Sequence, residues 1–216
     1  MLISAGMILT ATVASSTSLA ERAARHLPTL RGAVDEHWPD APLRHVMAGQ
    51  VEQESTWKER ATLKTSRELG RGLVQLTIAY RKDGTERFNA YRDAARIRAL
   101  RGWDWEQDPY NTTYQLTYLV LTDRANYRQM QGLRFIDAAE TFKAALVCYN
   151  AGPGRVLNRR ALALAKGIPH DRWTGGLDRA YSQKEAVMLY GRPLYEAVNE
   201  YPRVVFKKAE KYRGRV

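Results

Sequence analysis

Hydrophobic positions recur along this chain mainly with the period of a helix, which predicts helices over most of its length. Glycine and proline fall between the apolar blocks and mark their ends. No stretch alternates convincingly between apolar and polar residues with a period of two. The pattern therefore predicts an all-α protein, folded as a single unit over residues 21–216.

Several of the predicted helices have marked ends. A helix from Leu43 to Glu54 follows Asp40, which is a predicted N-cap. Asn111 is expected to cap a long helix, and Asp137 another, with Glu140 completing a capping box. The remaining predictions are a polar loop over 61–72, a short helix over 72–79, a basic helix over 87–101, two helices around a turn within 157–196, and a basic helix over 201–212.

The helix that ends at Glu54 carries a carboxylate where its apolar stripe predicts a hydrophobic residue. Glu54 continues the face formed by Met47 and Val51. Desolvation and the nearby helix C-terminus both disfavour the charged form, so the pKa of Glu54 should be raised. A general acid needs this property near neutral pH. The alternative is a solvated glutamate, or one paired with Arg60 or Arg71.

No strong second carboxylate accompanies Glu54. The two-acid route to glycoside hydrolysis places its carboxyl groups about 5 to 9.5 Å apart. Glu52 should point to another side of the helix. Glu59 and Glu68 lie in the following loop, and only Glu68 could swing toward the acid.

Tyr149 and Asn150 end another predicted helix. The tyrosine could direct its hydroxyl into a cleft, and the amide of Asn150 offers both a donor and an acceptor. The alternative is an aromatic core residue followed by a helix C-cap. Gln75 carries almost no signal by itself.

The composition of this 216-residue chain limits the kinds of partner and cofactor that it is expected to bind. Its formal net charge of +11 indicates an anionic partner, either nucleic acid or an acidic cell wall or membrane surface. No compact basic run interleaved with aromatic residues predicts a specific nucleic-acid site. Cys148 is the single cysteine, which excludes an intrachain disulfide framework, and the four histidines show no metal-ligand spacing. Neither a metal nor another cofactor is predicted.

Residues 1–20 are apolar and then rich in serine and threonine. They end in Ser18-Leu19-Ala20, a small-x-small pattern typical of a signal-peptide cleavage site, but the first basic residue is Arg22. The apolar part is too short and too interrupted to span a bilayer as a stable helix. The alternatives are a signal peptide and an N-terminal helix that packs on the core.

Four motifs, taken in order, resemble the soluble lytic transglycosylases, the goose-type-lysozyme-like family that cleaves peptidoglycan. They are Glu54-Ser55 followed by Trp57, Gly72-Leu73-Val74-Gln75, Asn111 with Tyr118-Leu119, and Cys148-Tyr149-Asn150-Ala151-Gly152-Pro153-Gly154. The resemblance covers residues 43–156 well, and Tyr201 takes the place of a late tyrosine. The chain departs from the family pattern at Val74, where the family has methionine, at Gln115, where it has glycine, and in a longer loop between Glu54 and Gln75.

This resemblance implies a lysozyme-like domain with extra helices at its N- and C-terminal ends. It implies cleavage of the β-1,4 bond between N-acetylmuramic acid and N-acetylglucosamine, with Glu54 as the single catalytic residue and a 1,6-anhydromuramyl product. Ser55 would help to orient the acid. The glycan site would be lined by Gln75, Tyr149, Asn150 and Tyr201.

The resemblance also implies a monomer that acts on peptidoglycan glycan strands in the periplasm or cell wall, where the basic charge suits an anionic envelope. A phage endolysin, a virion component and a bacterial wall enzyme all fit these properties. Two other functions stay open. One is a lysozyme-type hydrolase (a muramidase), in which water replaces the muramyl hydroxyl. The other is a basic envelope- or nucleic-acid-binding module with a vestigial acid.

Overall fold

The computed structural model describes residues 17–189 and 191–216. Residues 1–16, and with them most of the signal-like segment 1–20, lie outside the described residues. Ser18 begins the first helix through a reciprocal capping box with Glu21. Within the described ranges, no helix is both long and apolar enough to cross a membrane.

Helices and strands alternate in blocks along the chain. Four short helical turns cover Arg98–Leu100, Trp173–Leu177, Gln183–Ala186 and Glu210–Tyr212. The longer elements are α1 (Leu19–His37), α2 (His45–Ser55), β1 (Thr62–Lys64), β2 (Glu68–Arg71), β3 (Leu76–Tyr80), β4 (Glu86–Asn89), α3 (Ala90–Ala95), α4 (Thr112–Gln131), α5 (Ala138–Ala151), α6 (Pro153–Ala165), β5 (Met188–Leu189), β6 (Arg192–Pro193) and α7 (Leu194–Ala209).

A four-stranded antiparallel sheet shows that the predicted all-α, lysozyme-like fold class is wrong. The strands follow the order β1-β2-β3-β4, and the pair β5-β6 forms a separate two-stranded sheet. The protein is therefore mixed α and β. Each of the four strands has only three to five residues, and β1 is exposed throughout. Strands this short give too few alternating positions for a period of two to stand out.

The sheet replaces two predicted segments and part of a third. The predicted loop over 61–72 contains β1 and β2, and the predicted helix over 72–79 is a turn followed by β3. Gln75 breaks any helix there, because its backbone is left-handed with φ 49°. The predicted basic helix over 87–101 is divided into β4, α3 and a helical turn. Asn89 separates the first two by accepting hydrogen bonds from the amides of Tyr91 and Arg92.

The two helices with the clearest caps are confirmed. Asn111 caps α4 by accepting a hydrogen bond from the amide of Tyr114, and Asp137 caps α5 by accepting one from the amide of Glu140. The other half of the predicted capping box is wrong. The carboxylate of Glu140 instead accepts hydrogen bonds from the amides of Trp173 and Thr174, both at 2.8 Å. It therefore fixes a distant turn.

Other predicted boundaries also move. Asp40 does not cap α2, because that helix begins at His45 without a side-chain cap. The region 157–196 holds the rest of α6, two helical turns and the β5-β6 pair, and not two helices. The last helix, α7, begins at Leu194, earlier than predicted, and Tyr212 ends a separate helical turn.

Helix α2 lies in the interior and carries the candidate acid. Nine of its eleven residues are buried, so it is enclosed on nearly every side and does not show a single apolar stripe. A β-carbon at Gly49 would lie 2.6 Å from the carbonyl oxygen of Val205 and 2.7 Å from the amide nitrogen of Ala209. Only glycine allows α7 to approach α2 so closely. This approach places α7 beside Glu54.

Candidate active site

Glu54 lies in the last turn of α2 and stays partly exposed, while most of the helix is buried. The chain then turns sharply, because Thr56 and Trp57 both adopt left-handed backbone with φ of 52° and 61°. That conformation is uncommon for residues other than glycine. Trp57 is fully buried, and its indole N–H donates a hydrogen bond to the hydroxyl of Tyr212 at 2.8 Å. The turn thus leaves the acid at the edge of the core.

The electrostatic surroundings of Glu54 suit a proton donor. Burial raises the pKa of Glu54 to about 7, whereas a hydrogen bond from Tyr201 and the positive charge of Lys208 lower it. The hydroxyl of Tyr201, on α7, donates that hydrogen bond to Oε1 of the carboxylate. The direction of the shift agrees with the sequence-based prediction. A carboxyl group with this pKa can give a proton and take one back near neutral pH.

Tyr149 joins α5 to the segment that precedes β3. Its side chain is half-buried, and its hydroxyl donates a hydrogen bond to the carbonyl oxygen of Val74 at 2.8 Å. Burial and the negative charge of Glu54 both raise the pKa of Tyr149 well above its usual value. Tyr149 is therefore a neutral phenol that lies close enough to the acid to respond to its charge.

Gln75 lies in a turn built around two glycines. Its side-chain amide donates hydrogen bonds to the carbonyl oxygens of Gly72 at 3.0 Å and Ala61 at 3.4 Å. A β-carbon at Gly70 would meet the Gln75 side chain at 2.7 Å, and one at Gly72 would meet the Gln115 amide at 2.0 Å. Gln115 is fully buried, so the departure from the family pattern at this position packs against the Gly72 turn.

Two predicted site residues are placed less directly. Ser55 is buried, and its hydroxyl donates a hydrogen bond to the carbonyl oxygen of Val51 in its own helix at 3.1 Å. It therefore secures the last turn of α2 and makes no described hydrogen bond to Glu54. Asn150 is exposed in the last turn of α5. The structure brings Glu54, Tyr149 and Tyr201 together. Gln75 is linked to them less directly, because Tyr149 donates its hydrogen bond to the preceding residue, Val74.

The acids weighed as partners of Glu54 are engaged elsewhere. The carboxylate of Glu52 is buried and binds Tyr212 and Lys211. Glu59 lies 3.0 Å from the ring of His26. Glu68 is on β2, within 3.9 Å of the guanidinium of Arg87.

Sequence reasoning missed one acid in this region. Asp123 on α4 is fully buried, and burial together with the charge of Glu54 raises its pKa well above the usual value. It extends an apolar helical stripe that contains Leu116 and Val120. The signal that draws attention to Glu54, an acid on an apolar face, would have identified Asp123 as well.

A cavity of about 650 Å³ lies on another face of α7. Its lining includes the apolar side chains of Trp173 and Phe206, together with charged residues of both signs. None of Glu54, Gln75, Tyr149 and Tyr201 is among the residues that line it. This cavity is therefore not the site around Glu54.

The described residues contain no group of three or more histidine, cysteine, aspartate or glutamate side chains that could hold a metal ion. No protein-family model matches the chain, and a search of curated proteins also found no match. Glu54 is a partly exposed carboxyl group of raised pKa, and the phenol of Tyr201 donates a hydrogen bond to it. Tyr149 is a second phenol, close enough to respond to the charge of Glu54.

Proposed function

We propose that this protein is a peptidoglycan lytic transglycosylase. The protonated carboxyl of Glu54 donates its proton to the glycosidic oxygen between N-acetylmuramic acid and N-acetylglucosamine. As the bond from that oxygen to the anomeric carbon breaks, the 6-hydroxyl oxygen of the muramyl residue attacks the carbon. The hydroxyl proton passes to the Glu54 carboxylate. The products are a 1,6-anhydromuramyl end and a free N-acetylglucosamine 4-hydroxyl, and the acid is restored.

The observation that carries this proposal is the position of Glu54. It is partly exposed at the end of a buried helix, burial raises its pKa to about 7, and Tyr201 donates a hydrogen bond to it. A group that acts first as acid and then as base works best when its pKa lies near the working pH. Glu54 combines this pKa with access to the surface, whereas Asp123, whose pKa is also raised, is fully buried.

The neighbouring acids favour internal attack over attack by water. The negative charge of Glu54 acts on the nearby carboxyl group of Asp123, which is fully buried and does not reach the surface. It cannot activate a water molecule on an open face of the sugar. An intramolecular hydroxyl needs less help, because its effective concentration can lower a barrier by about 7 to 11 kcal/mol in well-oriented cases.

The motif resemblance assigns the remaining roles. Gln75, Tyr149, Asn150 and Tyr201 would line the glycan site, and Ser55 would support the helix turn that carries the acid. Peptidoglycan strands in the periplasm or cell wall would be the substrate, and the net charge of +11 suits that anionic surrounding. A phage endolysin, a virion component and a bacterial wall enzyme are all compatible with this chemistry.

Digestion of purified peptidoglycan tests the proposal, with mass spectrometry of the released muropeptides. We expect 1,6-anhydro ends from the wild-type protein and a loss of turnover of at least about 100-fold in Glu54→Gln, because the amide has no acidic proton to give. Glu59→Gln is the matched control, since it alters an acid five residues away that binds His26. It should retain turnover.

Two other results would replace the proposal. Reducing muropeptide ends without the anhydro mass would indicate a muramidase. Binding to envelope or nucleic acid that Glu54→Gln leaves unchanged, without any cleavage, would indicate a basic binding module.

A further inference from the structure

The cavity on the other face of α7 has the size of a small-ligand site. Its volume is about 650 Å³, and pockets for small ligands occupy roughly 300 to 1,000 Å³. Its wall is formed by parts of α5, α7, β6 and the segment 173–178. Trp173 and Phe206 make part of this wall aromatic. The cavity can therefore hold the apolar part of a ligand as well as its polar groups.

One acid of the wall has no partner. Oδ1 of Asp178 is buried and has no hydrogen-bond partner among the described residues. No ion pair in the described part of the chain includes Asp178 or Glu196, which is a second acid of the wall. A buried carboxylate oxygen without a donor costs free energy. These two acids therefore favour a ligand with a positively charged hydrogen-bond donor.

Two arginines of the same wall share one carboxylate. Arg192 and Arg203 both donate hydrogen bonds to Glu200, and that of Arg203 measures 3.2 Å. Two guanidinium groups on one carboxylate leave a net positive charge. They also leave most of the five N–H donors of Arg203 unused by this contact. Glu200 thus holds Arg203 in a position from which it can bind a second carboxylate.

Helix α7 sets the distance between the acidic and the basic part of the wall. Glu196 and Arg203 occupy positions i and i+7 of this helix, so they lie on one side of it. Their separation along the axis is about 10.5 Å, at about 1.5 Å per residue. Between them, the side-chain amide of Asn199 donates a hydrogen bond to the backbone carbonyl oxygen of Asp178 at 2.8 Å. An extended peptide advances about 3.3 to 3.6 Å per residue, so about three residues cover this distance.

We propose that this cavity binds a short peptide, about three residues long, that has a free amino group and a free carboxylate. The ammonium group meets Asp178 and Glu196, an apolar side chain lies against Trp173 and Phe206, and the carboxylate meets Arg203. Charged hydrogen bonds of this kind are stronger than neutral ones. The proposal is independent of the activity proposed for Glu54, because peptide binding needs no cleavage.

An NMR titration of the isotope-labelled protein with the tripeptide Ala-Leu-Ala tests the proposal. We expect saturable shifts of the Trp173 indole N–H and of the backbone amides that follow it. The indole N–H of Trp57, which is bonded to Tyr212, should not move. Acetylation of the amino group or amidation of the carboxylate should each weaken binding by about 10-fold or more. The dipeptide Ala-Leu should bind more weakly than the tripeptide, because it is too short to reach both ends.

Side-chain variants assign each end of the peptide. Asp178→Asn should weaken binding of Ala-Leu-Ala by about 3- to 10-fold and leave binding of the acetylated peptide nearly unchanged, because that peptide has already lost the ammonium group. Arg203→Gln should show the same pattern with the amidated peptide. Glu36→Gln is the matched control, since it alters an exposed acid on α1 that does not line the cavity. It should bind all the peptides as the wild-type protein does.

The dependence on the amino group is the decisive result. A protein with a net charge of +11 attracts any carboxylate but repels an ammonium group. Equal binding of the free and the acetylated peptide would therefore indicate general attraction of anions and would overturn the proposal. The absence of saturable shifts at Trp173 would overturn it as well. Both outcomes are read from the wild-type protein, so the test does not depend on the folding of any variant.

Discussion

Tyr201 has opposite effects on the two halves of the proposed reaction. Its hydroxyl donates a hydrogen bond to Glu54 and lowers the pKa of that acid against the effect of burial. The hydrogen bond stabilises the carboxylate, which acts as the base, and weakens the acid. Tyr201 would thus balance two roles of one side chain.

The variant Tyr201→Phe removes this hydrogen bond while keeping the ring. The pKa of Glu54 should then rise, and the alkaline limb of the pH–activity profile should move to higher pH by about half a unit or more. Steady-state kinetics from weakly acidic to weakly alkaline pH would measure the shift. An alkaline limb that moves to lower pH would show that the hydroxyl does not stabilise the carboxylate.

Some residues of this site can be identified from the sequence pattern, and others cannot. Glu54 is visible because a carboxylate interrupts an apolar pattern, and the same logic reaches Asp123. The contact between Glu54 and Tyr201 is not visible, because the two residues are 147 positions apart. Only the motif resemblance points to Tyr201. The hydrogen bond of Ser55 to its own helix is likewise a matter of local geometry that composition does not reveal.

Among the elements, the packing of α2 against α7 depends on Gly49. Gly49→Ala places a methyl group within 2.6 Å of backbone atoms of α7, which cannot move aside as a side chain could. We expect a loss of about 1 to 3 kcal/mol in the free energy of unfolding, together with reduced activity as Tyr201 is displaced from Glu54. Denaturant unfolding and turnover measure the two effects.

Gly32→Ala provides the control for this prediction. Gly32 lies within α1, and no atom lies within 4 Å of the position that a β-carbon would take there. Alanine at this position should raise the free energy of unfolding by about 0.5 to 1 kcal/mol. Equal stability of the two variants would contradict the close approach of α2 and α7.

Elements with local signals are the most predictable from the sequence. Helices α4 and α5 have caps and enough length for their period to be counted, and both follow from Asn111 and Asp137. The sheet is not predicted from the sequence, because its strands are short and the hydrogen bonds between them join separate segments of the chain. Leu76 and Ile78 suit a helix or a strand equally well, and the decision comes from hydrogen bonds to β2 and β4.

For the whole molecule, the buried acids make stability depend on pH. Burial raises the pKa of Glu54 from 4.5 to about 7, so the folded state holds a proton that the unfolded state releases. The contribution of this bound proton to the free energy of unfolding is complete below pH 4.5 and is lost as the pH rises toward 7. The raised pKa of Asp123 acts in the same direction.

Glu54→Gln should therefore gain stability relative to the wild-type protein as the pH rises from about 5 to about 8. The gain should be at most about 3 kcal/mol, because each unit of pKa difference corresponds to about 1.4 kcal/mol. Denaturant unfolding of both proteins at several pH values gives this difference and cancels the titration of other groups. A difference that stays constant with pH would show that Glu54 has an ordinary pKa in the folded protein.

The hydrogen bonds at the end of α2 determine when, during synthesis of the chain, the surroundings of Glu54 can form. Glu54 meets Tyr201, Trp57 meets Tyr212, and Glu52 meets Tyr212, across separations of 147, 155 and 160 residues. A chain emerging from the ribosome completes α2 long before it makes any of these partners. The carboxyl group thus spends most of translation in water as an ordinary glutamate, and acquires its unusual acidity only when the final helix closes over it.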